Sequence, residues 1–235
     1  MTSQEPPSNS SGIKESIRLP VRQTSMPSPL SSSSPQPPPS TDKVNEPFGL
    51  FARHIGGMQP DPIGAPLMEL EAILAHESSL PFRAFTADTA FALGTHLRNR
   101  LHAITPKPAV VSITLANSNQ LLFHACTHPG VTPDSDQWVA RKRRTVLRFG
   151  CSSWAMGRKF DGDEKKFAEK YGLGASAAEY AIHGGAVPVR VEGVEGVIAV
   201  VVVSGLTQEE DHQVVIEGLE DCKLEMAKSG NFFSI

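Results

Sequence analysis

AVPVRVEGVEGVIAVVVVSG, residues 186 to 205, is the stretch whose reading decides the fold. Two runs rich in Val flank Glu192-Gly193-Val194-Glu195-Gly196, and a glycine-bearing break between β-branched runs reads as a hairpin. Pro188 cannot donate to a sheet ladder, so the first of the two strands belongs at an edge, or Pro188 at a strand start. Working upstream, AVVSITLANSNQLLFHACT (109–127) predicts a second hairpin about the Asn117-Ser118-Asn119 turn. The short aromatic run LPFRAFT (80–86) reads as the first strand of five. The spacing of Leu67, Leu70, Ile73 and Leu74 predicts a helix over 66–79, and ADTAFALGTHLRNRLHAI predicts another from Asp88 to about Ala103. Downstream, Thr207 and Glu210 have capping-box spacing and open a last helix that runs to about Met226. Five strands with several helices make an α+β domain, and no internal repeat is visible.

Composition narrows the class. The 235 residues are 40% apolar with a formal net charge of -3, which suits one compact domain plus extra chain. That extra chain is residues 1–47, which hold 10 of the 19 prolines and 12 serines and carry no apolar period, so a disordered Ser/Pro-rich tail is expected. Glu5 and Glu15 interrupt the basic pattern that a transit peptide requires. The longest apolar run, Val197 to Val203, has strand length, so no membrane insertion is expected. Cys126, Cys151 and Cys222 are scattered and form no CxxC pair, which points to a reducing, cytoplasmic setting.

Three stretches then carry a resemblance: PDSDQWVARKRRTVLRFGCSS (133–153), YAIHGGAVPVRVEG (180–193) and VIAVVVVSGLTQEEDH (197–212). In this order they resemble the haem-degrading-domain (GlcG/HbpS-like) family, in the branch found in bacteria and fungi, over about residues 65–227. The resemblance implies a profilin-like α/β/α architecture with a five-stranded antiparallel sheet, and makes 48–235 the haem-degrading-like domain. It also implies assembly into dimers or larger rings. An aliphatic final strand and a last helix poor in aromatics offer a surface that could meet a second copy, at minimum in a dimer. Relatives of the fold bind haem or corrinoid groups, so haem or a related tetrapyrrole is the ligand it implies.

Several residues stand out against these expectations. QWVARKRRTVLRFGCSS (137–153) contains four consecutive cations, yet at 100° per residue Arg141, Arg144 and Arg148 fall on a polar flank, a solvated face rather than a nucleic-acid patch. Lys142 falls instead between Trp138 and Phe149 on the apolar stripe. A lysine there must either snorkel past its neighbours or meet an anion: a carboxylate of this chain or of a neighbouring subunit, or an acidic ligand such as a haem propionate. His212 shares an apolar stripe with Val215, Ile216 and Leu219, as a core histidine bonded to a backbone carbonyl or as an axial ligand of haem iron. His183, Gly184 and Gly185 stand at a strand entry, where glycines serve a plain turn or the close approach of a ligand.

Other patterns fall away. His124, Cys126 and His128 alternate as a strand would require for a metal, but Pro129-Gly130 ends the strand, so no metal is expected. Cys151 reads as small packing rather than a nucleophile. GLGASA (172–177) matches a dinucleotide fingerprint but follows the charged, helical EKKFAEKY, where that fingerprint needs a buried strand, so it reads as a loop. Glu209, Glu210 and Asp211 already complement the start of the last helix, which disfavours phosphate there. No catalytic residue is indicated. The expected function is a soluble, oligomeric small-ligand-binding protein with haem degradation as its enzymatic form, and the alternative is a non-enzymatic scaffold or adaptor.

Overall fold

The computed structural model describes residues 61–229; the Ser/Pro-rich stretch 1–47 and the expected domain start at residue 48 lie outside the described residues. Helix α1 (Leu70–Ser78) begins four residues later than the apolar spacing suggested, after an extended Glu69. Helix α2 (Ala87–Ile104) starts at a capping box in which Thr86 and Thr89 satisfy each other's backbone N–H. Strands β1 (Val110–Leu115) and β2 (Leu121–Cys126) form the first hairpin, with Asn119 at φ 59° in its turn, a conformation that Asn tolerates. Helix α3 (Pro133–Phe149) is the basic helix and has Pro at its first position. It stops at Gly150, whose φ of 69° is the left-handed cap conformation that favours glycine. Helices α4 (Ser153–Lys159) and α5 (Glu164–Lys170) and a 3₁₀ turn (Gly174–Glu179) lead to strands β3 (Ala186–Val189) and β4 (Ala199–Ser204). Helix α6 (Gln208–Ser229) closes the fold, and Thr207 and Glu210 exchange the expected capping bonds at its start.

Among the described residues the sheet has four strands, in the antiparallel order β2-β1-β4-β3, and not five. LPFRAFT is the segment that fails to become a strand. Pro81 lacks an N–H to donate, Thr86 is already committed to capping α2, and only Phe82 pairs, in a single parallel bridge to Val191 beyond β3. Phe82 N donates to Arg190 O, and Phe82 O accepts from Glu192 N, both at 2.8 Å. Pro188 lies on β3, an edge strand, where its missing donor costs nothing.

The side-chain alternation of β4 explains the layers. Ala199, Val201 and Val203 pack with Leu93, Leu97 and Leu101 of α2 and with Val215 and Leu219 of α6. Val200 and Val202 face the other way, against Val139 and Val146 of α3. The unbroken aliphatic run therefore reflects a central strand covered on both faces, in an α/β/α sandwich. This corrects the use of these residues as a docking surface: β4 is buried throughout, and Val214, Val215, Ile216 and Leu219 of α6 lie in the monomer core. Among the described residues β2 is the edge strand with an exposed large apolar side chain, Leu121 at 58%.

Candidate functional site

The basic run of α3 resolves into separate local contacts. Arg141 Nε donates to Tyr180 O at 3.1 Å and its guanidinium lies 4.5 Å from the Trp138 ring centre; Arg143 bonds Asn119, Arg144 pairs with Glu179, and Arg148 reaches the Tyr180 hydroxyl. Lys142 alone turns inward. It is 3% exposed, and Nζ donates to Asp211 Oδ2 at 2.9 Å and to Val203 O at 3.2 Å. The anion that a buried lysine demands is thus a carboxylate of the same chain, at the start of α6. Asp211 is equally buried and also accepts from Leu206 N and Gly205 N. Burial pushes its carboxyl above the ordinary value, while the Lys142 ammonium and these N–H groups hold it down.

Gly184 and Gly185 belong to this junction. A Cβ on Gly184 would lie 2.1 Å from Gln208 O and 3.1 Å from His212 Cβ. Gly185 has φ 121°, and a Cβ there would meet Val203 O at 2.3 Å and Lys142 Nζ at 2.8 Å. The close approach that these glycines permit is that of helix α6 and the ion pair. His183 stands apart, edge-on to Trp138 at 5.1 Å between ring centres, with Nδ1 3.4 Å from Glu164 Oε1, an ion-pair distance without hydrogen-bond geometry.

His212, next to Asp211, has the opposite surroundings. It is 3% exposed, its ring stacks on Trp154 of α4 at 5.8 Å, and its Nδ1 has no hydrogen-bond partner among the described residues, so the backbone-carbonyl alternative does not hold there for that atom. Burial first, then the charges of His76 and Lys142, lower its pKa to about 3, leaving a neutral imidazole. It lines a half-open cavity of about 460 Å³ together with Leu67, Ile73, His76, Glu77 and Glu220. The cavity's walls are α1 and α6, tied by a 2.8 Å bond between His76 Nε2 and Glu220 Oε1, while Trp154 Nε1 fastens Leu67 O at 2.8 Å.

Glu77 is the site residue that the sequence reading missed. It is 7% exposed; Oε2 accepts from Ser152 N at 3.0 Å, and Oε1 has no partner among the described residues. Burial raises its pKa against the opposing effects of Ser152, Arg190 and His76. The signal was its place four residues after Ile73, on the same face of α1, where a carboxylate is out of keeping with an apolar stripe.

The remaining candidates do not converge. His124 Nε2 is 3.5 Å from Asp136, Cys126 is exposed, and His128 bonds Thr105 O while stacking on His102. Burial raises the Cys151 pKa to about 11, so its thiol is a poor nucleophile. GLGASA follows helix α5 and leads into the 3₁₀ turn, and is not the strand-to-helix turn of a dinucleotide site. No helix among the described residues is long and apolar enough to cross a membrane.

Fold and site together define a three-layer α/β/α protein with a helix-walled cavity lined in part by two buried polar side chains, Glu77 and His212. Comparison with known proteins places it more narrowly. Residues 85–220 match the family model described as haem degrading protein HbpS-like. The chain is 44% identical over 163 residues to a UPF0303 protein of Streptomyces coelicolor, covering 69% of this chain and 97% of that one. It is 41% identical over 152 residues to a UPF0303 protein of Burkholderia cenocepacia, covering 64% and 87% respectively. The crystal structure of the Ybr137w protein superposes with a TM-score of 0.62 at 39% identity, over 67% of this chain and 90% of that one. The chain belongs to the HbpS-like haem-degrading family.

Proposed function

We propose that this protein binds a small ligand, haem or a related tetrapyrrole, in the cavity between α1 and α6. The carrying observation is that the buried imidazole of His212, kept neutral by its surroundings, lines that cavity. Family membership supplies the ligand class, and haem iron takes an axial histidine. The residues fit such a group in part. His212 would face the iron and Leu67, Ile73 and Ile216 would flank the ring, whose iron would supply the redox chemistry. No Lys or Arg is among the described lining residues, so acidic substituents of the ligand would stay at the open mouth. Lys142 is committed to Asp211 and is withdrawn from the ligand role, Gly184 and Gly185 serve packing around α6, and His183 stays with Trp138 and Glu164 in this reading. Degradation of the bound ligand is the enzymatic form of the proposal and is supported by the family description.

The same proposal includes self-association, at least to a dimer, supported by the open edge of β2 and its exposed Leu121. The three free cysteines suit a reducing compartment such as the cytoplasm. Titration of the purified protein with hemin tests the ligand: a saturable Soret shift that changes in form in His212→Ala is expected. A titration indistinguishable from free hemin would remove the tetrapyrrole. Sedimentation at micromolar concentration giving only a monomer would remove the assembly.

A further inference from the structure

We infer that residues 65–78 form a strap that opens as a unit to admit a ligand to His212, while helix α6 and the sheet stay in place. The inference rests on the reading of the cavity between α1 and α6 as a ligand site and concerns how that site is entered, whatever the ligand's class.

His212 lines the cavity, yet it is 3% exposed and its Nδ1 is buried. A ligand that is to touch the imidazole must first displace a wall. Helix α6 is not that wall: Val214, Val215, Ile216 and Leu219 lie in the core, and Asp211 and Glu217 are ion-paired with Lys142 of α3 and Arg100 of α2. Helix α4, which carries the stacked Trp154, is buried from Ser153 to Gly157. The opposite wall consists of Ala65, Leu67, Ile73, His76 and Glu77.

That wall is built lightly. Helix α1 has nine residues, a length at which an isolated helix is marginal in water. Within 65–78 only Ile73 and Glu77 are buried, and none of these residues pairs with a strand. The segment is held by single hydrogen bonds from the body. Leu67 O accepts from Trp154 Nε1 at 2.8 Å, Met68 O from Arg158 Nε at 2.9 Å, and Glu77 Oε2 from Ser152 N at 3.0 Å, while His76 Nε2 meets Glu220 Oε1 at 2.8 Å. Few buried apolar contacts and exposed polar ties characterise segments that open locally at low cost.

The chain on either side is fixed. Ile63 packs on the core, and Gly64 N donates to Glu217 Oε1 at 2.9 Å. At the other end Ser79 O accepts from Lys223 Nζ at 2.8 Å, Leu80 packs on the same core, and Phe82 is bonded through both its N–H and its C=O. Gly64 and the Ser78-Ser79 pair, small residues, thus stand where hinges absorb backbone rotation. Trp154 links the strap to the site, since its Nε1 holds Leu67 O while its ring stacks on His212.

The test measures two rates in the full chain: amide hydrogen exchange along α1 and α6, and carbethoxylation of His212 by diethyl pyrocarbonate, read by mass spectrometry of its peptide. In the unaltered protein α1 should exchange at least about tenfold faster than residues 213–222 of α6 after correction for intrinsic rates. Ala75 is exposed and does not line the cavity, so Ala75→Gly weakens α1 without uncovering His212 directly. It should speed α1 exchange and His212 modification together by about fivefold, the helix-propensity cost of glycine, with α6 unchanged within about twofold. Equal protection of α1 and α6 overturns the inference, and that comparison needs no variant to fold. His212 modification that stays constant while α1 exchange rises, or α6 exchange that rises with α1, overturns it as well. A parallel hemin titration keeps the two readings apart. Coupled rates without hemin binding remove the tetrapyrrole and leave the strap; hemin binding with uncoupled rates removes the strap alone.

Discussion

Replacing Lys142 with Met should cost the folded state about 3–5 kcal/mol, through the carboxylate it abandons. Nζ lies 2.9 Å from Asp211 Oδ2, and the two side chains are 4% and 3% exposed. At that separation the attraction is about 6 kcal/mol for an effective dielectric near 20, largely offset by the hydration that both ions give up. The pair is therefore worth little against an apolar pair, and the damage in the single variant is the unpaired Asp211. Leu206 N at 3.0 Å and Gly205 N at 3.3 Å still donate to it, which keeps the loss within the stated range. Urea denaturation at neutral pH should show a lower midpoint with an unchanged slope, and the melting temperature should fall by roughly 6–20 °C. Asp211→Asn keeps an acceptor for Leu206 N, so combining it with Lys142→Met should return the cost to about 2 kcal/mol or less. If the two single costs instead add in the double variant to within about 0.5 kcal/mol, the residues are uncoupled and the reasoning fails.

His212 should make the fold acid-sensitive. Its folded pKa of about 3 lies below the ordinary 6.5, so between those values the unfolded chain binds more protons, and the stability present above pH 6.5 drains away as pH falls toward 3. The span of 6.5 − 3 = 3.5 units corresponds to at most about 5 kcal/mol. The difference in unfolding free energy between wild type and His212→Phe should change across this window, and parallel profiles would refute the assignment. Gly184→Ala should destabilise by about 1–3 kcal/mol or more, because the added methyl meets a backbone oxygen, Gln208 O at 2.1 Å, that cannot rotate aside. A thermal melt unchanged from wild type would show that α6 has room to shift.

Most of the fold was legible because its signals are local. The two glycine- and asparagine-punctuated hairpins, the Thr207/Glu210 capping spacing and the 3.6-residue stripe of α3 each depend on residues a few positions apart. LPFRAFT misled because strand propensity describes fit to a half-buried pleated surface, and whether a ladder forms depends on a partner 109 residues away, Val191 for Phe82. The final strand and helix misled for a related reason. An unbroken aliphatic run looks the same whether a second subunit or the chain's own helices cover it. At the site, Lys142 and His212 betrayed themselves as polar residues on apolar stripes, but their partners could not be read. Asp211 was visible only as helix-start charge, and Glu77 follows Ile73 in a helix whose apolar pattern is weak enough to hide it.

Asp211 and His212 are consecutive in the chain, and the difference between them separates the structural part of this junction from the part open to a ligand. Asp211 has a cation and two backbone donors, all supplied by elements that must meet for α6 to dock: α3 through Lys142, and the turn after β4 through Gly205 and Leu206. Its every polar demand is met within the chain, so a ligand there would have to displace an interaction that the fold needs. His212 lines the cavity bounded by α1, and its Nδ1 has no hydrogen-bond partner among the described residues. A helix register that aligns Asp211 with Lys142 leaves His212 against Trp154 and the cavity, and Gly184 allows α6 close enough for both. The ion pair thus fixes the position of the unsatisfied imidazole. A variant that breaks the pair should blur the cavity's selectivity as well as lower stability, whereas a variant of His212 should alter ligand recognition with Lys142 and Asp211 still paired.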